Sequence, residues 1–257
     1  MAGSVKRVPC CDRGVTVRAI FFSDAHLDRN DTDKIELIEK FSEDVLERAD
    51  AVFILGDLFE FYHGYDGYIY PWYNGVVDIL KRLSSMGKTV ILFEGNHEFG
   101  MGRYFQNYTG ISCKQDVTMN LDGKRVFMSH GHGSHRFYLG SILKTRFVYA
   151  IMDFLGPRLT WKVAKAAATF LSRKVKPYNE RTRDIFREYA RKELSREYDV
   201  IVLAHSHMSD MVEFEVTQKK RLYVNTGDFG RDLDYVSYET GRGFMLERFD
   251  PSRHEGR

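Results

Sequence analysis

The chain has 257 residues, 43% of them apolar and 29% charged, with a net charge of +2; this is the balance of a soluble protein large enough to bury a substantial core. It holds no run of about 18 apolar residues, which excludes a membrane-spanning helix. Its three cysteines, Cys10, Cys11 and Cys113, fit neither a disulfide framework nor a CxxC zinc site, so unpaired thiols are expected.

The start MAGSVKRVPCCDRG lacks the apolar stretch of a signal peptide, and a cytoplasmic protein is expected. One domain over residues 1–257 accommodates the length, with an insertion at about 137–198. The charge is unevenly spread: Arg136 to Arg196 holds 15 Lys and Arg against 5 Asp and Glu, an excess of +10, leaving 2 − 10 = −8 for the rest. Such a segment is expected to meet an anion.

In chain order, VTVRAIFF ending at Phe22 reads as a strand, followed by a helical pattern from Thr32 to Arg48. AVFIL ending at Leu55 is a second strand, a helix from Trp72 to Met86 is stopped by Gly87, and TVILF ending at Phe93 is a third strand. Strand and helix in alternation argue for α/β architecture with a largely parallel sheet. LDGK is a turn between VTMN and the strand KRVFMS ending at Ser129. From about Phe137 to Tyr198 the pattern is helical, broken near Gly156-Pro157 and Lys176-Pro177. DVIVLA ending at Ala204 is again a strand, and MVEFEV, RLYVN, YVSYE and GFMLERF predict a second, mixed sheet.

Five of these strands end in the same kinds of residue: SDAH, GDLFEF, GNHE, SHGH and AHSH. Functional groups in α/β sheets gather at the carboxyl ends of strands. Asp, Asn and His form an oxygen and nitrogen donor set suited to Mn, Fe or Zn rather than to a thiolate-seeking metal. Singly, each motif reads as a helix-capping Asp, a turn or a polar loop; all five, each directly after an apolar run, point to a metal site.

The ordered set resembles the calcineurin-like metallophosphoesterase superfamily, whose blocks are DxH, GDxx, GNH[D/E], a lone His and GHxH. The resemblance spans Asp24 to His207 and implies a four-layer α/β sandwich with a helical cap insertion, holding two divalent ions, with Mn2+ the expected metal. It implies Asp24, His26, Asp57 and His207 around one ion and Asp57, Asn96, His130 and His205 around the other, Asp57 bridging. His97 is then free to act on substrate, with Glu98 expected to orient it. Two such ions lower the pKa of a shared water and neutralise charge growing on phosphoryl oxygens. Ala204 departs from the family's usual Gly.

GDLFEFYHGY and YVNTGDF further resemble bacterial UDP-2,3-diacylglucosamine pyrophosphatases of the lipid A pathway, which carry a helical insertion at the same place. That resemblance implies cleavage of a UDP-linked diacylated glucosamine to UMP and the acylated sugar 1-phosphate. Arg103, His132, His135, Arg136, Lys144, Arg146, Lys162 and Lys165 are candidates for contact with substrate, and each is also readable as an ordinary surface or polar residue. His132 stands where those enzymes usually have Asp. Apolar residues beside cations in the insertion suit a lipid chain and a phosphate at the inner face of an anionic membrane; two amphipathic helices packed as a lid fit the pattern as well. A broader phosphatase or phosphodiesterase, and a non-catalytic scaffold on the same fold, remain alternatives. No nucleic-acid partner is expected, because the basic segment is rich in Leu, Phe and Val at helical spacing.

Overall fold

The computed structural model describes residues 16–131, 144–172 and 179–254. The first half runs β1 (Arg18–Phe22), α1 (Thr32–Asp44), β2 (Ala51–Ile54), β3 (Tyr62–His63), α2 (Asn74–Ser85), β4 (Thr89–Phe93), β5 (Glu98–Phe99), α3 (Gly102–Thr109), β6 (Ser112–Lys114), β7 (Asp116–Leu121) and β8 (Lys124–Ser129). The second half runs α4 (Arg146–Ser172), α5 (Glu180–Leu194), β9 (Val200–Leu203), β10 (Asp210–Val216), β11 (Lys219–Asn225), the single turn α6 (Phe229–Asp232), β12 (Asp234–Glu239) and β13 (Gly243–Arg248).

Every apolar run read as a strand forms one. The first helix ends at Asp44 and passes into a 3-10 turn at Leu46–Arg48, while the second starts after a 3-10 turn at Pro71–Tyr73. Gly87, at φ 79°, supplies the left-handed residue that ends α2. The strands build a six-stranded sheet, β13-β12-β1-β2-β4-β6, and a five-stranded sheet, β10-β11-β9-β8-β7. In the first, β1, β2, β4 and β6 are parallel, and β12 is antiparallel to both its neighbours, β1 and β13. The second is mixed, with β8, β9 and β11 parallel. The four strands near the chain end are therefore shared, β10 and β11 completing one sheet and β12 and β13 the other.

Alternation along the strands explains the layering. Ala19, Phe21, Ala51 and Phe53 of the first sheet meet Val126, Met128, Val200 and Val202 of the second in one buried cluster. The opposite faces bury Ile20, Phe22, Val52 and Ile54 against α1 and α2, and Ile201 and Leu203 against Phe186, Ala190 and Leu194 of α5. Because both faces of the central strands are covered, β2 and β9 are apolar at every position, and β1 and β4 after their first residue. The result is the expected four-layer α/β sandwich.

The helical segment expected as a cap divides between two stations. Helix α5 is the fourth layer of the sandwich itself. Helix α4 lies instead over the loop after β2, where Tyr149, Met152, Trp161 and Ala164 pack on the first core. It bends at Gly156, whose φ of 72° and ψ of 168° leave the helical region just before Pro157. Among the described residues no helix is long and apolar enough to cross a membrane.

Candidate metal centre

The carboxyl ends of β1, β2 and β4 in one sheet and of β8 and β9 in the other converge. Asp24 and His26 follow β1, Asp57 follows β2, Asn96 follows β4, His130 follows β8, and His205 and His207 follow β9. Five of these seven residues have positive φ: Asp24 55°, His26 45°, Asp57 51°, His205 66° and His207 53°. Left-handed backbone costs a residue with a Cβ about 1–2 kcal/mol, and strain of this kind persists where the surroundings over-determine it, as at functional sites.

Two glycines in the motifs have steric reasons. A Cβ on Gly95 would stand 2.2 Å from Asp57 Oδ1, and one on Gly56 would stand 2.7 Å from both Gly95 Cα and His130 Nδ1. The Gly-Asp and Gly-Asn pairs thus let the loops approach closely enough for the polar groups to meet. Ala204 is tolerated where the resemblance leads one to expect Gly, because its φ is not positive and it is buried in the inter-sheet core.

The seven expected ligands form two overlapping groups, and His26, Glu60 and His97 form a third whose potential ligand atoms also lie within 4.8 Å of one another. His207 Nε2 lies 3.4 Å and His26 Nε2 3.8 Å from Asp24 Oδ1, and His26 Nε2 lies 4.0 Å from Asp57 Oδ2. In the second group His130 Nε2 lies 3.3 Å from Asp57 Oδ2, 2.9 Å from Asn96 Oδ1 and 3.1 Å from His205 Nδ1. Potential ligand atoms of Asp24, His26 and His207, and of Asp57, His130 and His205, lie within 4.8 Å of one another. Asp57 reaches both groups, so all seven residues read from the sequence come together.

The donors fit divalent cations. Asp24 Oδ1 and Asp57 Oδ2 are buried, acceptor-only oxygens without a hydrogen bond, and both ring nitrogens of His26 lack one as well. Buried carboxylate oxygens left in that state are costly unless a cation compensates them. The electrostatics agree. Burial alone would depress His26, but Glu60, Asp57 and Asp24 outweigh it and push its pKa up to about 9. Burial likewise opposes protonation of His130, which Asp57, Asp24 and the Leu55 carbonyl push up to about 9. Asp57 is held well below the usual carboxylate range by His130, His97 and His26 despite its burial.

A second ring of residues, to which the sequence reading gave no role, orients the first. Ser23 donates to Asp24 Oδ2 at 2.6 Å and contacts the Thr226 hydroxyl at 2.7 Å. Asp228 Oδ2 pairs with His207 Nδ1 at 2.5 Å, and the Leu55 carbonyl with His130 Nδ1 at 2.7 Å. Carboxylate or carbonyl partners at the far nitrogen are what a ligating imidazole needs to present the near one. The NTGD run, noticed in the sequence only as part of a resemblance, therefore supplies Thr226 and Asp228 to this ring. Glu60 faces His26 Nδ1 at 3.5 Å. Burial would raise its pKa, but His26, His97 and Lys165 hold it below the usual range.

His97 is half-buried beside the group, its ring 4.7 Å from that of His26. Its Nδ1 lies 2.6 Å from the Glu60 carbonyl, which can only accept, so Nδ1 carries the proton and Nε2 is left for another partner. Glu98 does not orient it, contrary to the expectation. The buried Glu98 carboxylate instead accepts the N–H groups of Asp57, Phe59 and Gly95 at 3.0, 3.1 and 2.8 Å, because three loop amides converge there and need an acceptor.

The candidates for substrate contact scatter. Lys144 donates to the Gly95 carbonyl, and burial lowers its pKa. Lys165 reaches Asp28 Oδ2 at 2.5 Å and Glu60 Oε1 at 3.7 Å, at the rim of the site. Arg146 and Lys162 are exposed on α4, and Arg103 falls on α3. His132, His135 and Arg136 lie outside the described residues.

Residues 17–209 match the family described as calcineurin-like phosphoesterase. The chain is 36% identical over 113 residues to a UDP-2,3-diacylglucosamine hydrolase of Vibrio vulnificus, covering 44% of this chain and 46% of that one. That alignment thus spans about half the length of the curated relative. Another protein of that name, from Ectopseudomonas mendocina, is 26% identical over 242 residues, covering 90% and 98% of the two chains. An archaeal phosphodiesterase of solved structure superposes with a TM-score of 0.46 at 15% identity, covering 91% of this chain and all (100%) of that one.

Proposed function

The chain belongs to the calcineurin-like phosphoesterase family, and from that premise we propose that it is a metal-dependent phosphohydrolase that cleaves the pyrophosphate of UDP-2,3-diacylglucosamine. The products are UMP and 2,3-diacylglucosamine 1-phosphate. The observation that carries the hydrolytic part is the convergence of five strand ends on two buried carboxylate oxygens, Asp24 Oδ1 and Asp57 Oδ2, that accept no hydrogen bond and face histidine nitrogens. The substrate rests on the name shared by the relatives in Vibrio and Ectopseudomonas.

Asp24, His26, Asp57 and His207 would hold one divalent ion, and Asp57, Asn96, His130 and His205 a second; Mn2+ suits this donor set. Such a pair supplies a more acidic water and compensation for charge on the phosphoryl oxygens. Asp57 would be the shared ligand, since its carboxylate offers two acceptor oxygens and its Oδ2 faces both His26 Nε2 at 4.0 Å and His130 Nε2 at 3.3 Å. His97, held at Nδ1 by the Glu60 carbonyl, would in its doubly protonated form donate the Nε2 proton to a phosphoryl or leaving-group oxygen. Lys144 and Lys165 supply positive charge at the approach.

Peripheral contact with an anionic bilayer extends the proposal to α4. Phe147, Ile151 and Phe154 are 75%, 42% and 90% exposed, and Leu159 and Val163 are 48% and 53% exposed. Exposed Arg146, Arg158 and Lys162 stand among them. Apolar side chains beside cations are the composition of an interfacial helix, and the substrate proposed here is itself a lipid.

The test is hydrolysis of UDP-2,3-diacylglucosamine with added Mn2+, following UMP release. Release of UMP is expected, with His97→Ala cutting turnover by about 100-fold while bound metal stays at the wild-type level. Cleavage of bis-p-nitrophenyl phosphate with the acylated nucleotide left intact would refute the substrate. Metal lost together with activity in His97→Ala would make His97 a ligand instead.

A further inference from the structure

Glu60 sits where helix α4 meets the histidines of the first cation group. Its carboxylate is 24% exposed, with Oε2 3.5 Å from His26 Nδ1 and Oε1 3.7 Å from Lys165 Nζ. Its main-chain carbonyl lies 2.6 Å from His97 Nδ1. One residue therefore touches a candidate ligand, the candidate proton-handling histidine and a lysine of α4.

We propose that Glu60 is a positioning residue that sets the donor strength of His26 and links it to helix α4 through Lys165. The inference rests on the assignment of His26 to a cation. His26 turns Nε2 toward Asp24 and Asp57, so it can ligate only with its proton on Nδ1, and a carboxylate at Nδ1 favours that tautomer and makes Nε2 a better donor. Asp228 faces the corresponding nitrogen of His207 at hydrogen-bond distance, 2.5 Å, where Glu60 lies 3.5 Å from His26 Nδ1. The two carboxylates differ in a second respect. Asp228 also caps α6 by accepting from Arg231 N–H, whereas Glu60 shares its charge with Lys165, which is itself paired with Asp28 at 2.5 Å. The second half of α4 therefore bears on the first cation group through Lys165 and Glu60. A movement of α4 that withdraws Lys165 leaves Glu60 more available to His26.

The experiment titrates the full-length chain with Mn2+, reading free Mn2+ by electron paramagnetic resonance, for the wild type, Glu60→Gln, Glu60→Ala, Lys165→Met and the double variant Glu60→Gln/Lys165→Met. Glu60→Gln keeps an acceptor and removes the charge, and is expected to weaken one of two Mn2+ ions by about 10-fold. Glu60→Ala is expected to weaken it at least as much. The chelator-treated variants should melt with the wild type, which separates positioning from a folding defect. Lys165→Met is expected to tighten that ion in the Glu60 protein and to have no effect in the Glu60→Gln background. Wild-type affinity in both Glu60 variants overturns the inference. Equal effects of Lys165→Met in the two backgrounds, zero included, overturn the link to α4. A wild-type chain that takes up no Mn2+ overturns the metal reading, and this inference with it.

Discussion

Glu98 illustrates how a single side chain can hold a site together without facing it. Its carboxylate is fully buried and accepts three loop amides. Burial, then the neighbouring Asp57 carboxylate, push its pKa up to about 7, while the N–H groups of Phe59 and Asp57 pull the other way. Removing the acceptor strands those amides, and each unsatisfied buried N–H costs about 1–3 kcal/mol. Glu98→Ala is therefore expected to lower stability by roughly 3 kcal/mol or more. Glu98→Gln keeps one oxygen for two of the three amides and turns its NH2 group toward the other, so roughly 1–3 kcal/mol is expected. Urea unfolding of chelator-treated protein measures both; equal losses in the two variants would contradict this account of Glu98.

At the scale of the element, α4 is the part whose two sides differ most. Tyr149, Met152, Trp161 and Ala164 face the core, and the helix is fastened by the Tyr65 hydroxyl to the Met152 carbonyl and by His63 to Asp153, at 2.9 and 2.8 Å. Trp72 and Trp161 meet edge to face at 5.2 Å. The other side presents Phe147, Ile151 and Phe154, one helical face by their spacing. A phenylalanine carried from water into an apolar phase contributes roughly 1.5–3 kcal/mol. Replacing Phe147 or Phe154 with Ser is thus expected to weaken binding to phosphatidylglycerol vesicles by about 10-fold or more. Cosedimentation measures this, and vesicle binding equal to that of the wild type would remove the bilayer from the proposal.

For the molecule as a whole, the chemistry of the centre ties metal, protons and stability together. His26 and His130, with pKa values near 9 in the metal-free chain, are protonated at neutral pH and must lose those protons to ligate. Metal uptake is therefore expected to release protons and to tighten as pH rises toward 9. Without metal the dependence runs the other way. A folded pKa raised above the ordinary 6.5 adds stability that is fully present below 6.5 and is lost as pH climbs through about 9. Chelated protein should melt lower at pH 9 than at pH 6.5, and metal should restore the most stability at the higher pH. Melting curves at the two pH values with and without Mn2+ test this; a chelated protein equally stable at both would contradict the raised values.

How much of this was legible follows from where each signal resides. The strands were readable because both faces of the central strands are buried, which writes continuous apolar runs into the chain. A residue following such a run lies at the end of a strand by construction, so the five polar motifs could be picked out along with their order, while the choice of seven ligands within them came from the family resemblance. Ser23, Glu60 and Glu98 stand inside the same motifs, and Thr226 and Asp228 in the NTGD run, but nothing local showed what each of them touches. Their roles are contacts across 41 residues from Glu98 to Asp57, 21 from Asp228 to His207 and 203 from Thr226 to Ser23, and periodicity is blind to such separations. The division of the basic segment, α5 into the fourth layer and α4 over the site, was equally hidden, since both read as amphipathic helices. Local pattern determined which residues stand at strand ends. Only the packing of one sheet on the other decided which of those ends meet and which carboxylate backs each imidazole, because partners are chosen by shape and burial in three dimensions.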